Sequence, residues 1–312
     1  MKLSELPFGE VLRDGEFDWL GLTSEEYEGK RHLTFLTSDK YLDEVNRNKT
    51  LSCVITTEEL SCKISEKFGI ILSDNPKIEF FRLHNNLAKK DFYNKMESQK
   101  SVISKKAIIA KTAIIKSKGV IIEDDVEIED FVVINQNVHI KKGAVIGAGS
   151  IIGSRPLEIY KESVGNVPVL SIGRIIIDEY SQIQSNSTVE MGVFSSTYIG
   201  KRVCVDDLVQ VGHDVKIGDS TIVTAGTIIG GRTKIGENSY LGINCTIKNG
   251  LLIGKNTRVS MGAVVSQNVE DDQIVTGNLA IPHNKFIKQF IHTAEQFNTH
   301  NILQSPTPAV SL

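Results

Sequence analysis

Residues 199–265 read IGKRVCVDDLVQVGHDVKIGDSTIVTAGTIIGGRTKIGENSYLGINCTIKNGLLIGKNTRVSMGAVV, and an aliphatic residue recurs at every sixth position. The column consists of Ile199, Val205, Val211, Ile217, Val223, Ile229, Ile235, Leu241, Ile247, Ile253, Val259 and Val265. A helix would repeat its apolar positions every 3.6 residues and an alternating strand every two, so neither explains this period. Glycine often follows the column residue, as at Gly200 and Gly236, and glycine permits a sharp corner. The hexad therefore predicts a parallel β-helix with three short strands in each coil.

The same period continues upstream of residue 199. Three shorter runs carry it: Ile103, Ile109 and Ile115; then Ile122, Ile128, Ile134, Ile140, Ile146 and Ile152; then Ile177, Ile183 and Val189. The first of these runs is offset from the second by one residue. Coils of three hexads that stack at strand spacing, roughly 4.8 Å, give about eight coils and a prism roughly 40 Å long.

Two segments interrupt the hexads. Residues 153–171 are too long for a corner and contain two prolines and several charged side chains, which favours a protruding loop. Between Val189 and Ile199 the spacing is ten rather than six, so residues 191–198 hold a smaller insertion of four residues. Loops that leave a rigid scaffold are favoured places for binding.

Residues 1–100 lack the hexad. They contain short apolar segments at 33–36, 53–55 and 69–72 and a helical pattern at 75–90, which predicts an N-terminal α/β domain. Such a domain also covers the open end of a β-helix, whose last coil has unpaired backbone groups. We therefore expect a domain boundary near residue 100.

The opposite end of the chain is predicted to be helical. The β-helix domain should occupy residues 101–281, since Pro282 stops the repeat. In residues 283–300 the apolar positions follow one face of an amphipathic helix. Residues 282–312 are therefore predicted to form a C-terminal helix and a frayed tail.

The composition excludes several classes of protein. The chain has 312 residues, 40% of them hydrophobic, and a net charge of −3, which argues against disorder and gives no reason to expect nucleic acid as a partner. No apolar run is long enough for a signal peptide or a membrane span. The four cysteines are scattered and indicate buried apolar positions rather than a metal half-site. We expect a cytoplasmic protein.

His213 is the candidate for chemistry within the coils. It follows the column residue Val211 by two positions, so it should lie at a corner or on the outer face. Gly231 lies 18 residues further on, one coil, and should stack beneath it at about 5 Å. A histidine beside a glycine N–H suits acyl transfer, because the imidazole accepts a proton and the amide holds an oxyanion. A tight corner at Gly230 and Gly231 is the structural alternative.

Zinc is a further alternative for a coil histidine. A catalytic zinc site of this kind needs three imidazoles that converge on the metal. Only His139 and His213 lie in the coil region, and neither has a partner at a coil-related spacing. We therefore expect no metal.

These residues resemble the UDP-3-O-acylglucosamine N-acyltransferases of lipid A synthesis. The segments concerned are Ser-Thr-Val-Glu-Met-Gly at 187–192, Tyr-Ile-Gly at 198–200 and Val-Gln-Val-Gly-His-Asp-Val at 209–215. The resemblance implies a left-handed β-helix and a homotrimer with sites between subunits, where the donor's pantetheine arm lies along the groove. It also implies that His213 is the general base and that the Gly231 amide forms the oxyanion hole.

Residues 32–41, His-Leu-Thr-Phe-Leu-Thr-Ser-Asp-Lys-Tyr, resemble that family's uridine-binding segment. There, two aromatic rings six residues apart sandwich the base, and Phe35 and Tyr41 keep this spacing. Stacking between rings is a sound way to hold a flat pyrimidine. Lys40 is the candidate for the diphosphate.

Three departures from the family pattern bear on the substrate. Where the family usually has a second histidine, this chain reads Lys-Asn-Gly-Leu at 248–251. The family's Asp-Arg pair before the small insertion is Glu190 and Met191 here, and an Asn of its uridine-binding segment is Ser38. Residues 262–269 and 276–280, and the His-Asp pair at 213–214, resemble CoA-dependent sugar acetyltransferases instead.

We therefore predict an N-acyltransferase for cell-envelope glycan or lipopolysaccharide synthesis. It would acylate a nucleotide-linked (UDP or dTDP) amino sugar with an acyl thioester, acyl-CoA being favoured, and it would need no bound cofactor. Asp214 or another acid such as Glu190 would orient the imidazole, and Glu190 is also a candidate for substrate binding. The alternatives are the lipid A enzyme with acyl carrier protein as donor, an O-acetyltransferase and a non-catalytic scaffold.

Overall fold

The computed structural model describes residues 1–27, 29–90, 92–93, 99–277, 280, 282–289 and 291. The chain divides into two compact units, residues 1–276 and 277–312. The boundary expected near residue 100 lies inside the first unit. In the second unit, residues 283–289 are helical, as the amphipathic pattern predicts. The rest of that predicted helix, apart from residue 291, and the tail lie outside the described residues.

The first unit begins with a five-stranded sheet in the order β1-β5-β4-β3-β2. Its strands are β1 (Glu10–Arg13), β2 (Trp19–Leu20), β3 (His32–Leu36), β4 (Leu51–Thr56) and β5 (Gly69–Leu72), and its helices are α1 (Leu42–Arg47), α2 (Glu58–Ser61) and α3 (Pro76–Lys89). Neighbouring strands are parallel except β1, which runs antiparallel to β5. This arrangement confirms the predicted α/β character of the segment. Helix α3 begins with Pro76, which is favoured in a first turn, and buries Phe80 and Phe81.

The β-helix has three parallel sheets with eight, nine and eight strands. The first contains β6 (Val102–Ile103), β9 (Val120–Ile122), β12 (Val138–Ile140), β17 (Ile175–Ile177), β20 (Thr197–Ile199), β23 (Lys216–Ile217), β26 (Lys234–Ile235) and β29 (Leu252–Ile253). The second contains β7 (Ile108–Ile109), β10 (Glu127–Ile128), β13 (Val145–Ile146), β18 (Gln182–Ile183), β21 (Cys204–Val205), β24 (Ile222–Val223), β27 (Tyr240–Leu241), β30 (Arg258–Val259) and β32 (Ile274–Val275). The third contains β8 (Ile114–Ile115), β11 (Val133–Ile134), β14 (Ile151–Ser154), β19 (Thr188–Glu190), β22 (Gln210–Val211), β25 (Ile228–Ile229), β28 (Thr246–Ile247) and β31 (Val264–Val265).

Residues 18 apart face each other on adjacent coils. Val211 pairs with Ile229, and Ile217 pairs with Ile235. In the offset first run Ile103 instead pairs with Ile122, so one extra residue before residue 122 absorbs the shift. The column residues of the regular run, 199–265, form a buried core. The predicted fold class, mainly β with a left-handed parallel β-helix, is confirmed.

Both interruptions of the repeat pack against the N-terminal sheet and its helices. Residues 153–171 contain an antiparallel hairpin of β15 (Ile159–Glu162) and β16 (Gly165–Pro168). The Tyr160 ring stacks on Phe81 of α3 with ring centroids 5.2 Å apart, and Glu162 accepts two hydrogen bonds from Arg82. In the second insertion, Phe194 is buried beside Phe80 and His84. The loop predicted to protrude is thus anchored to α3.

Candidate active site

His213 lies at the corner between β22 and β23, where the sequence predicts it. Its side chain is 11% exposed, and Nδ1 lies 2.9 Å from Oδ2 of Asp214. Asp214 has a φ of 57°, in the left-handed region that aspartate tolerates better than most residues. In this corner conformation, two consecutive side chains meet, so the structure brings His213 and Asp214 together.

The Asp214 carboxylate is held by the second insertion. It accepts hydrogen bonds from the backbone N–H groups of Val193 (3.0 Å) and Ser195 (2.7 Å) and from the Ser195 hydroxyl (3.0 Å). Burial acts to raise the pKa of Asp214, but these bonds and the one with His213 outweigh it, so the pKa lies below its usual value. An ionised carboxylate only accepts hydrogen bonds, so Nδ1 of His213 is the donor in the bond to Asp214.

Gly231 lies directly beneath the imidazole, as the coil spacing predicts. A Cβ atom at this position would lie 2.5 Å from Nε2 of His213, so only glycine allows the ring to approach the backbone this closely. The next residue, Arg232, donates its backbone N–H to the His213 carbonyl at 2.7 Å. Among the described residues, the Gly231 N–H donates no hydrogen bond.

Glu190 holds the backbone of His213 rather than its ring. One carboxylate oxygen accepts the backbone N–H of His213 at 3.0 Å, and the other accepts Nε2 of Gln210 at 3.0 Å. Burial raises the pKa of Glu190, and the hydrogen bonds only partly oppose it. The orientation of the imidazole therefore depends on Asp214, the first of the two acids considered from the sequence.

Two residues of the site escaped the sequence analysis. Glu158, from the first insertion, has one carboxylate oxygen 3.5 Å from Nε2 of His213 and 2.6 Å from a guanidinium nitrogen of Arg232. Arg232 could have been found, because it lies 18 residues after Asp214 and so one coil below it. Nothing in the hexad pattern indicates which residue of 153–171 contacts His213.

Phe35 and Tyr41 line one cavity of about 460 Å³. Phe35 packs against Phe80, with ring centroids 5.0 Å apart, and Tyr41 is 40% exposed. The buried Thr34 hydroxyl, which has no partner among the described residues, also lines this cavity. Gly250 lines it as well and donates its N–H to the Gly231 carbonyl at 2.9 Å, so the cavity reaches the coil next to the one that carries Gly231.

The two lysines near this cavity differ in position. Lys77 of α3 is one of the lining residues. The ammonium of Lys40 instead lies 5.4 Å from the centre of the Tyr41 ring, and Lys40 is exposed and absent from the lining. The structure therefore adds Lys77, which the sequence analysis missed, to the cations near the cavity.

The part of the chain that the structure describes contains no cluster of three or more His, Cys, Asp or Glu side chains placed to hold a metal ion. Within the same residues, no helix combines the length and apolarity needed to cross a bilayer.

Comparisons with known proteins support this assignment of the repeat. A family model, the hexapeptide repeat of succinyl-transferase, matches residues 232–267. A UDP-3-O-acylglucosamine N-acyltransferase of Christiangramia forsetii is 31% identical over 135 residues, which are 43% of this chain and 40% of that protein. Another of that name from a Caulobacter species is 26% identical over 125 residues, 40% of this chain and 37% of that protein. These matches confirm the resemblance inferred from the sequence, although the chain spans only about 40% of the length of these curated relatives.

Solved structures of two UDP-N-acetylglucosamine acyltransferases are similar to part of this chain. A UDP-N-acetylglucosamine acyltransferase from Campylobacter jejuni is 16% identical, with 61% of this chain and 84% of that chain covered and a TM-score of 0.45. One from Francisella novicida is 21% identical, with 61% and 73% covered and a TM-score of 0.37.

Proposed function

We propose that this protein is an N-acyltransferase that moves an acyl group from a thioester to the amino group of a UDP-linked 3-O-acylglucosamine. The observation that carries the proposal is the stacking of His213 on Gly231, with Nδ1 of the ring held by Asp214. The names of the curated relatives support this acceptor over other amino sugars. Cell-envelope lipopolysaccharide synthesis is the corresponding role.

The reaction follows from these positions. The sugar amine attacks the thioester carbonyl, and Nε2 of His213 takes the amine proton as the C–N bond forms. The carbonyl oxygen becomes an oxyanion, which the free N–H of Gly231 stabilises by a hydrogen bond. When the C–S bond breaks, the proton on His213 passes to the leaving thiolate. Asp214 stabilises the positive imidazole between these two steps.

Glu158 and Arg232 add a binding role for the amine. The Glu158 carboxylate lies beside Nε2 of His213, where the amino group must arrive, and a carboxylate accepts a hydrogen bond from an amine N–H. Arg232 fixes this carboxylate by a short ion pair. The pair orients the amine toward the base.

The cavity between Phe35 and Tyr41 is proposed to hold the uracil ring. A volume of about 460 Å³ lies in the range of small-molecule sites. Aromatic stacking and the unpaired Thr34 hydroxyl suit a flat base with polar edges. Lys77 and Lys40 are the candidate cations for the diphosphate.

We further propose a homotrimer. Apolar side chains remain exposed on the sheets of the prism, including Ile222 and Ile274 on one and Ile228 and Val264 on another. Exposed apolar rows of this kind are typical of surfaces that pack against another subunit. Light scattering should then give three times the chain mass of 34.4 kDa. The groove between two such prisms would accept the pantetheine arm of the donor.

The test is thiol release from a matrix of donors and acceptors. The donors are 3-hydroxyacyl carrier proteins, acyl-CoAs of the same lengths and acetyl-CoA, and the acceptors are UDP-3-O-acylglucosamine and a panel of UDP- and dTDP-linked amino sugars. We expect release with UDP-3-O-acylglucosamine and acyl carrier protein, together with the N-acyl product by mass spectrometry.

Turnover only with acyl-CoA and a different nucleotide-linked amino sugar would contradict the proposed donor and acceptor. It would favour the substrates expected from the sequence instead. Absence of thiol release from every pair, with folded protein, would refute the acyltransferase proposal.

A further inference from the structure

A second cavity lies apart from the one that Phe35 and Tyr41 line. Its volume is about 260 Å³, and its lining includes Trp19, Lys30, Asn137, Arg174, Ser195 and Ser196. It shares no lining residue with the cavity of about 460 Å³, and His213 is not part of it. The volume lies below the usual range for whole small-molecule ligands, so it suits a single compact group better than a nucleotide sugar.

Two cationic side chains line this cavity without an anionic partner. The Lys30 ammonium lies 3.2 Å from the centre of the Trp19 ring, and the structure gives neither Lys30 nor Arg174 a carboxylate within ion-pair distance among its described residues. Burial lowers the pKa of Lys30, the positive charge of Arg174 lowers it further, and the negative charge of Asp18, which is itself paired with Arg31, opposes both only in part. Two neighbouring positive charges repel each other, and an anion between them would remove this repulsion.

Asn137 supplies a second and independent observation. Its side chain is 2% exposed, yet Oδ1 has no hydrogen-bond partner among the described residues. Its Nδ2 has only a weak contact, 3.9 Å from the sulfur of Met191. A buried polar atom that lacks a partner costs about 1–3 kcal/mol, so buried amides are nearly always paired. An unpaired amide in the lining of a cavity indicates a place where a ligand supplies the partner.

We propose that this cavity binds a phosphate group. A phosphate carries up to two negative charges, which match Lys30 and Arg174, and its oxygens fit the guanidinium fork. The hydroxyl of Ser196 is a further donor, whereas the Ser195 hydroxyl donates to Asp214. A phosphate that retains one proton can donate it to Oδ1 of Asn137. Neither the proposed nucleotide cavity nor the base uses any of these side chains except Ser195.

Ser195 links the phosphate site to the base. Its backbone N–H and its hydroxyl both contact Oδ1 of Asp214, while the residue also lines the cavity. A phosphate that orders Ser195 and Ser196 would therefore restrain the segment that fixes Asp214 and, through it, the imidazole of His213. The phosphate belongs either to a free inorganic anion that acts as an effector or to a larger molecule such as phosphopantetheine.

The test is calorimetric titration of the full chain with inorganic phosphate at constant ionic strength and neutral pH. Trp19 is the single tryptophan of the chain, so its fluorescence reports separately on this cavity. We expect saturable binding with one site per chain and a parallel change in fluorescence. The variant with both Lys30→Gln and Arg174→Gln should bind at least about tenfold more weakly, a change of about 1.4 kcal/mol.

The matched control carries Arg47→Gln and Lys118→Gln, two exposed cations outside both cavities, and should bind phosphate like the wild type. Arg174→Gln alone serves as a second variant if the double change impairs folding. If phosphopantetheine displaces phosphate, the site belongs to a larger ligand. If phosphopantetheine does not displace it, the site belongs to the free anion. Absence of saturable phosphate binding, or equal binding by the wild type and the Arg174→Gln variant, would overturn the proposal whatever the outcome of the acyl-transfer assays.

Discussion

The uninterrupted coils at 199–265 and the interrupted coils at 153–198 contribute strands to the same three sheets but have different roles. In the regular coils, residues that are 18 positions apart stack on one another, which places His213 over Gly231. The interrupted coils provide the groups that act on the imidazole: Val193 and Ser195 hold Asp214, and Glu158 reaches Nε2. The repeat itself positions the Gly231 amide, the ring and the adjacent Asp214. The groups that hold the Asp214 carboxylate, and the second carboxylate beside Nε2, come from segments that leave the repeat.

The largest effect is expected from the base itself. His213→Ala removes the proton acceptor and should lower kcat/KM for amide formation by about 10⁴-fold. His139→Ala is the matched control, since His139 is also a coil histidine that contacts a carboxylate, Glu123, at 2.7 Å. Equal rates for the two variants would exclude His213 as the base.

Asp214→Asn tests the contribution of the second insertion. The amide cannot fix the same tautomer of His213, so kcat/KM should fall by about 10³-fold with little change in KM. Asp206→Asn changes a corner acid of the regular coils that accepts a backbone N–H from Ala225, and it should leave the rate unchanged. If Asp206→Asn were as damaging as Asp214→Asn, a general loss of coil stability would explain both.

Gly231→Ala tests the contribution of the regular stack. The new methyl group would lie 2.5 Å from Nε2, which forces the ring away, and kcat should fall by about 10²-fold. Gly262→Ala meets no atom within 4 Å but has a φ of 66°. This control should cost about 1–2 kcal/mol in the free energy of unfolding and leave kcat unchanged.

Glu158→Gln tests the first insertion and should have a smaller effect. Without the carboxylate the amino group of the sugar is bound less well, so KM for the amino sugar should rise by about tenfold with kcat nearly unchanged. Glu162→Gln, on the same hairpin but directed at Arg82, serves as the control. A rise in KM of the same size for Glu162→Gln would indicate that hairpin anchoring, rather than the charge at Nε2, is responsible.

Acid unfolding gives the smallest expected difference. The pKa of Asp214 is lowered in the folded protein, so its ionised form stabilises the fold above the unfolded-state pKa of about 3.9. This stabilisation is lost as the pH falls through the lowered folded-state pKa. The free energy of unfolding of the wild type should therefore exceed that of Asp214→Asn at neutral pH, and the gap should shrink in strong acid. A gap that is independent of pH would contradict the ionised carboxylate.

The sequence predicts the regular part of this molecule well because its signal is periodic. One spacing defines the buried column, the coil register and the position of Gly231 beneath His213. The contact between Glu158 and His213 has no such signal, since it joins residues 55 apart through a hairpin whose path depends on the packing of Tyr160 against Phe81. The lining of the phosphate cavity is hidden for the same reason, because Lys30, Asn137 and Arg174 come from three separate segments.

The most direct test of the account is the protonation of the His213 ring, observed by long-range ¹H–¹⁵N correlation at neutral to mildly alkaline pH. We predict that the wild type carries its ring proton on Nδ1, that Asp214→Asn loses this preference and that Asp206→Asn retains it. A ring proton on Nε2 in the wild type, or an Nδ1 proton that persists in Asp214→Asn, would contradict the claim that the interrupted coils prepare His213 as the base.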